Sequence, residues 1–469
     1  MSGYGSATEM DKVNFRTKEI IAAQAEKPLL EALRALQREE GCLTEASLKA
    51  LAASRFISRT RLFGIASSYP EFSFEEAAES IRPASPPVPL PEFLEQAAAA
   101  TGVVEGGPLS ARFGEPPVDL AGYRAAGGTV ALKRAVMEMT PEQVLSEVVL
   151  GGLTGKASAW QQVQRSEGER VIVASAHAGD PAAAQARVLL EKDPYAVLEG
   201  MFIAAIATGA TRGFLFTDLS GASLAGRLEE AAEEIQRSAN INFAVEAIAG
   251  PESLVGSEDS VAVACIERDR PMPFAVDVAR RGVWARPTLV DRAECFASIT
   301  ATLATGSQVL SRIYQVSGAV KRPGLYEAEP GLEIAELLER AGASANSSLL
   351  VGGLSGSFQS GGNRDRLLGS FARDDSPRWR TLHVFPGEDA RFDLLAAAAS
   401  MAAYNARYLC GFCIPCRIGA VRIAEIMSAA PEDPVSLDRA TLRELAWAVE
   451  RSGLCAPGRG AAGMVLSAI

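Results

Sequence analysis

No stretch of the sequence reads as a membrane anchor or a secretory leader and basic charge is not in excess, and each absence argues against a class of function. Its most apolar stretch, residues 197–216, is interrupted by glycine, threonine and arginine. It reads as a buried helix running into a strand, not as a bilayer span. Residues 1–11 are small and polar, and the first apolar run is broken by Lys18, Glu19 and Glu26, unlike a signal peptide. With 46 Lys and Arg against 57 Asp and Glu, the net charge is -11, which offers no basic surface for nucleic acid. The expected setting is the cytoplasm, free or peripheral to a membrane complex. Seven cysteines, an odd number without a leader, do not suggest a disulfide framework.

What is present is a long chain with material for several cores. At 469 residues, 48% hydrophobic and 22% charged, it should fold into two to four domains. Residues 26–40 space their leucines on one helical face, Gly41 is a natural stop, and Thr44 offers a cap for a second helix. A third begins near Ser58, so residues 1–75 read as a helical domain. Residues 76–118 are rich in proline, alanine and glycine and read as a linker, or as an extended segment laid over another subunit. From 119 to 305, helices (141–149, 194–209, 223–237) alternate with short apolar strands (170–174, 213–217, 242–248). That order predicts an α/β domain with a mostly parallel sheet. Residues 306–385 carry a hairpin at 313–326, a helix at 332–341 and a strand at 348–353. From 386 to 469 the chain is helical and alanine-rich.

Three of the cysteines sit in Cys410-Gly411-Phe412-Cys413-Ile414-Pro415-Cys416, a C-x2-C-x2-C pattern. Three thiolates at this pitch can curl round one iron–sulfur cubane, and Cys455 is the remaining C-terminal candidate for its fourth iron. Thiolates are the soft donors that such a cluster needs. A [4Fe-4S] cluster on Cys410, Cys413, Cys416 and Cys455 is therefore the expected cofactor. The rival is a structural zinc site, although zinc more often takes two C-x2-C pairs. Cys42, Cys265 and Cys295 have no partners in sequence and read as small buried hydrophobes.

Beyond these residues, the chain from about Leu120 onward resembles the NADH-binding 51 kDa flavoprotein subunit of respiratory complex I. That family has relatives in formate dehydrogenases and multisubunit hydrogenases. The resemblance rests on Gly127-Gly128, Met139-Thr140-Pro141-Glu142, residues 189–211, Pro287-Thr288, residues 316–327, the CGFCIPCR segment and the SGLCAPG segment. It implies a multidomain α/β fold: a Rossmann-like flavoprotein-type domain, a ubiquitin-like β-grasp domain and a C-terminal helical bundle carrying the cluster. Residues 26–75 resemble the N-terminal helices of the partner 24 kDa subunit, without the thioredoxin-like portion that should follow.

The resemblance weakens at the flavin and nucleotide motifs. The family's glycine-rich flavin loop is matched by residues 155–162, where glycines have become Ala157, Ser158 and Trp160 and the nicotinamide-stacking aromatic is Gln161. An indole in a loop that wraps a cofactor is hard to fit. In the next motif the flavin-bonding Asn and Asp are Ser175 and His177, an acidic residue is Ala178, and Asp180 shortens a glutamate associated with NADH. The family's GEET becomes Ser257-Glu258-Asp259-Ser260, and two flavin-facing asparagines become Asp291 and Arg292, read as a surface or salt-bridged pair. His177 lacks triad partners and reads as structural, and His383 as a strand residue. Arg417 follows the last clustered cysteine and would screen cluster charge, whereas two family glutamates beside the cysteines are Leu409 and Ile418.

The expected function is therefore a non-catalytic electron-transfer subunit of a multisubunit oxidoreductase, relaying single electrons through one [4Fe-4S] cluster. Its partners would be other redox subunits, including a molybdenum, tungsten or hydrogenase subunit and another iron–sulfur protein. Two rival readings are an FMN-containing NADH:acceptor dehydrogenase with a rebuilt glycine loop, and a scaffold with a non-redox metal.

Overall fold

A computed structural model describes residues 21, 29–67, 69, 72–74, 88–251, 253–344, 347–359, 380–386, 390–428, 435 and 437–469. Two compact units divide the chain: residues 1–88 with 264–271, and residues 89–263 with 272–469.

In the first unit the leucine spacing produces the helix Leu29–Glu40, whose Leu30, Leu33 and Leu36 are buried. Gly41 follows in the left-handed region at φ 81°, where a side chain would be strained. Thr44 then forms a reciprocal capping box with Ser47 at the head of Glu45–Ser54, and Ser58 caps Arg59–Ala66. Cys265 is buried as expected, and burial pushes its thiol up to about 12 although Tyr69 hydrogen-bonds to it. Cys42 departs from the expectation: it is only half-buried, in the short link between the Gly41 turn and the bridging residue Leu43.

The second unit carries two sheets and a helical bundle. We number the strands β1 Val103–Glu105, β2 Val171–Ser175, β3 Arg212–Thr217, β4 Ala244–Ala249, β5 Thr288–Arg292, β6 Arg312–Gly318, β7 Gly324–Ala328, β8 Leu349–Val351, β9 Ser357–Gln359 and β10 Thr381–Val384. The first sheet is parallel throughout and runs β4-β3-β2-β5. Every residue of β2 is buried, as befits a central parallel strand between helical layers. The order reverses between β2 and β5, so the ends of these two strands open a crevice.

The apolar run that opens at residue 197 resolves as the helix Pro194–Thr208, buried almost throughout, followed by β3. Gly200 lets this helix approach the helix Ala293–Thr305: a Cβ there would lie 2.1 Å from the Phe296 carbonyl oxygen. Its one acidic residue, Glu199, is also buried and accepts hydrogen bonds from Tyr123 Oη (2.6 Å), Thr129 N (3.0 Å) and Leu132 N (2.7 Å). Removing this acceptor strands three buried donors. Glu199→Ala is expected to lower stability by about 3 kcal/mol or more, read from chemical denaturation midpoints. A loss below about 1 kcal/mol would show that the three donors find other partners.

The second sheet runs β1-β7-β6-β10-β8-β9. The hairpin expected at residues 313–326 is β6 with β7, and the helix Ile334–Ala341 packs its Leu337 and Leu338 into the core of this domain. The linker expected at residues 76–118 needs correction over its described part. The helix Glu92–Ala99 buries Leu94 and Ala97, and β1 adds a parallel edge strand to β7. A short apolar helical face and three strand residues suffice to dock a segment whose composition alone suggests a spacer.

Phe93 of that helix packs on His383 and Phe385, with ring centroids 5.2 and 5.4 Å away. His383 lies in β10, as expected, with Nδ1 3.0 Å from Ser317 Oγ. Burial pushes its imidazole down to about 4. Because the folded value lies below the unfolded one, His383 contributes stability that is lost as pH falls from about 6.5 through 4, roughly 3 kcal/mol in full. The chain has only two histidines, so isotope labelling of histidine yields two assignable signals. The His383 signal should stay in its neutral form down to about pH 4; titration near 6.5 would show that the ring is solvated.

The C-terminal part is a bundle of Ala390–Tyr408, Ile414–Met427, Arg439–Ser452 and Ala456–Ala468. Among the described residues, no helix is long and apolar enough to cross a membrane.

Candidate functional site

The bundle brings the four sequence-predicted cysteines to one end. Gly411, at φ 61°, turns the chain between Cys410 and the next helix, and Cys413 is the N-cap of Ile414–Met427 with Pro415 in its first turn. Cys416 lies inside that first turn and is buried. Cys455 is the N-cap of Ala456–Ala468, and its Sγ accepts from Gly458 N at 3.4 Å. A carbon added at Gly458 would lie 3.2 Å from Cys416 Sγ and 3.3 Å from Cys455 Sγ, so both sulfurs face one point where only glycine leaves room. Burial first, and the neighbouring Cys410 and Cys413 with it, push the thiols of Cys416 and Cys455 up to about 12.

All four donors are thus sulfur and share one environment, with two helix N-termini directed at them. Backbone N–H groups at helix starts favour negative charge, and a ligated thiolate is such a charge. Among the described residues, no group of three or more His, Cys, Asp or Glu is set to hold a single metal ion. A cubane makes a different demand, since each of its thiolates binds a different iron. Arg417 is exposed on the same turn, and its amide donates to the Cys413 carbonyl at 2.9 Å.

This end of the bundle is fastened to the α/β core. Glu258 Oε1 accepts from Ala456 N at 2.7 Å, one residue beyond Cys455. The 3-10 turn Gly353–Ser355 meets two helices of the bundle: Ser355 Oγ donates to the Pro457 carbonyl (3.3 Å), and Asn405 Nδ2, in Ala390–Tyr408, donates to the Leu354 carbonyl (2.9 Å). Asp180 holds that turn from the other side, accepting from Leu354 N (2.7 Å) and Ala182 N (2.9 Å). Burial pushes the Asp180 carboxyl up to about 6 against those two hydrogen bonds. The retained acids Asp180 and Glu258 therefore serve as mechanical links toward the cysteine end.

The crevice between β2 and β5 is a second site. It is lined by Ser175, His177, Gln185, Arg292, Glu294 and Arg380, among others. Arg380 forms an ion pair with Glu294, which also accepts from Ile313 N at 2.7 Å. Burial, together with the nearby Arg292, pushes the Arg380 guanidinium down to about 9. His177 is buried and stacked on Phe216 (centroids 5.2 Å apart). Its Nδ1 accepts from Gly179 N, which assigns Nε2 as donor to the Pro251 carbonyl. A Cβ at Gly256 would come within 2.1 Å of the ring, so the imidazole is packed as a structural group, as its lack of triad partners suggested.

The stretch that matches the family's flavin loop is folded into the core. Residues Ala157–Arg165 form a helix, and Trp160 points into the core against Phe296. Its Nε1 donates to Asp291 Oδ2 at 2.8 Å, and Thr154 Oγ1 donates to the same oxygen at 2.6 Å. Asp291 is fully buried, which corrects its reading as a surface feature; Arg292 contributes a backbone amide to its Oδ1 at 2.8 Å. Lys156 Nζ pairs with Asp259, 2.7 Å from each carboxylate oxygen, and reaches the Val290 carbonyl at 3.0 Å. Arg380 and Glu294 were not legible in the sequence, because nothing in the local pattern joins residues so far apart.

Comparisons with known proteins bear on both sites. The family model "NADH-ubiquinone oxidoreductase-F iron-sulfur binding region" matches residues 396–469, which contain all four cysteines, and the SLBB domain model matches residues 313–345. The chain is 25% identical over 386 residues to an NADH-quinone oxidoreductase subunit of Rhizobium meliloti, covering 73% of this chain and 90% of that protein. It is 26% identical over 390 residues to the NADP-reducing hydrogenase subunit HndC of Solidesulfovibrio fructosivorans, covering 75% and 78% respectively. A crystal structure of NAD+-reducing [NiFe]-hydrogenase in the air-oxidized state shares the fold with a TM-score of 0.73, at 21% identity, over 94% of this chain and 91% of that one. The chain resembles the 51 kDa-type electron-transfer subunits of NADH dehydrogenases and hydrogenases.

Proposed function

We propose that this chain, with its resemblance to the 51 kDa-type subunits, is an electron-transfer subunit of a multisubunit cytoplasmic oxidoreductase. In this reading Cys410, Cys413, Cys416 and Cys455 hold one [4Fe-4S] cluster, on a Rossmann-like flavoprotein-type scaffold whose flavin and NADH sites are given up. The observation that carries the reading is the convergence of four thiols at two helix N-termini. When bound, the cluster would take up and release one electron through a change of iron valence. The chain's own residues hold the thiolates in place, present the Gly458 amide to Cys455 and, through Glu258, fix the Cys455 loop to the α/β core.

FMN does not fit the crevice as these residues fill it. The matching loop is helical with its indole packed inward, and the Arg380–Glu294 ion pair lines the opening where β2 and β5 diverge. Hydride chemistry would then belong to a partner, in keeping with relatives named as subunits of hydrogenases and quinone oxidoreductases. A hydrogen-activating, molybdenum or tungsten subunit would supply the electrons or consume them, with another iron–sulfur protein in the chain of transfer.

Composition tests this directly. Anaerobically purified protein should contain about four iron and four acid-labile sulfide per chain, give a dithionite-reduced EPR signal from one cluster, and release no flavin on denaturation. Stoichiometric zinc would replace the reading with a structural metal site. Bound FMN with NADH-dependent bleaching would replace it with a working dehydrogenase.

A further inference from the structure

The end of the parallel sheet away from the crevice carries an exposed tryptophan among cations. Glu169, Arg212 and Arg286 stand at, or two residues before, the starts of β2, β3 and β5. Ahead of β5 the chain doubles back at Val283–Arg286, where Arg286 N donates to the Val283 carbonyl at 3.0 Å. Both central residues of this turn lie in the left-handed region, Trp284 at φ 50°, ψ 40° and Ala285 at φ 60°. Such turns normally take asparagine and glycine, because a Cβ is strained there, and a bulky side chain is an outlier. Full burial does not offset the strain, since Trp284 keeps 41% of its surface exposed.

The indole is nonetheless held still. It stands edge-on to the buried Phe214, centroids 5.7 Å apart at 71°, with the guanidinium carbons of Arg212 and Arg286 at 5.1 and 5.4 Å from its centre. Arg280 and Arg281 are exposed just upstream, and between residues 278 and 290 the only charged residues are arginines. Asp277 lies 3.3 Å from Arg280, and Glu169 2.8 Å from Arg286. Four guanidiniums against these two carboxylates make the patch cationic on a chain of net charge -11.

A fixed, exposed tryptophan flanked by arginines has the composition of a protein-binding hot spot, because such side chains bury much surface for little further loss of freedom. Strain of this kind points to function where packing does not account for it. We propose that the Trp284 turn docks an acidic segment of a second protein, one with closely spaced carboxylates beside an apolar side chain. Charge selects the occupant: guanidiniums pair with carboxylates and repel a basic segment. The apolar side chain dries against the indole. The crevice opens at the opposite ends of β2 and β5, so this contact is separate from it, and the proposal does not depend on what the cysteines hold.

The test uses the complex purified through a tag on the full chain, with the photo-crosslinker p-benzoylphenylalanine in place of the exposed Arg281. Irradiation should join the chain to one other protein, at a segment in which Asp and Glu outnumber Lys and Arg, identified by mass spectrometry. A synthetic peptide of that segment is then the probe for calorimetry with the full chain. Its Kd should rise at least tenfold in Trp284→Ala and in Arg212→Glu, and should rise again as salt goes from low to physiological strength. Arg212→Glu alters an exposed side chain, so it reports on binding even where Trp284→Ala disturbs the turn. Unchanged denaturation midpoints in Arg212→Glu separate loss of docking from loss of the fold. Peptide binding equal to the parent's in both variants would overturn the proposal. So would the absence of an adduct, or an adduct with a neutral or basic segment, with lipid or with a second copy of this chain.

Discussion

In the proposed cluster site, Cys455→Ser should abolish the intact cubane while leaving the fold in place. Serine can still cap Ala456–Ala468 by accepting from Gly458 N, so the helix start that Cys455 now caps is preserved. What the hydroxyl cannot supply is a soft thiolate for the fourth iron. Iron should fall from about four per chain to three or fewer, and the dithionite-reduced EPR signal of the parent should disappear or give way to that of a three-iron cluster. Cys455→Ala should add a cost of about 1 kcal/mol, from the lost cap, to the same loss of iron. Cys265→Ser changes a buried thiol of the other unit and is the matched control: full iron content is expected. If Cys455→Ser keeps four irons and the parental signal, the fourth ligand lies elsewhere and the assignment of Cys455 fails.

Much of this was legible because it is local. The C-x2-C-x2-C spacing is a statement about seven consecutive residues, and the helix starts at Thr44 and Ser58 announce themselves by a side-chain oxygen placed to meet an amide three residues on. The alternation of helix with β2, β3 and β4 could be read because buried parallel strands are short apolar runs. The edge strand β1 could not be read, since three residues carry no periodicity and their order comes from the partner β7. Buried charges were harder still. Asp291 next to Arg292 looks like a surface pair, and only the fold shows that its acceptors face Thr154 and Trp160, far upstream. Arg380 and Glu294 meet by the same route, across the crevice. Glu258 keeps the acidity of its motif, and the structure gives that carboxylate a hydrogen bond from Ala456 N, beside Cys455.

The Trp160–Asp291 contact yields the second large expected effect, and it separates a filled flavin site from an open one. Asp291 accepts three hydrogen bonds, from Thr154 Oγ1, Trp160 Nε1 and its neighbour's amide, in a place closed to water. Replacing it with leucine, of similar size, leaves those donors facing carbon. Each stranded buried donor costs about 1–3 kcal/mol, so Asp291→Leu should destabilise by about 3–5 kcal/mol. Trp160→Phe removes one donor and part of the ring, and should cost less, about 1–2 kcal/mol. Because the two changes share a hydrogen bond, their costs should not add: the double variant should be more stable than the sum predicts by about 1 kcal/mol, measured in a denaturation cycle. Simple additivity would mean that the indole N–H and the carboxylate do not depend on one another. A fully occupied flavin in the unaltered protein would be more damaging, since the indole would then have to leave the core to admit it. Tight coupling of the pair makes Trp160 and Asp291 part of what holds the α/β domain together. Restoring glycine at position 160 alone should then produce an unstable protein and not a flavoprotein.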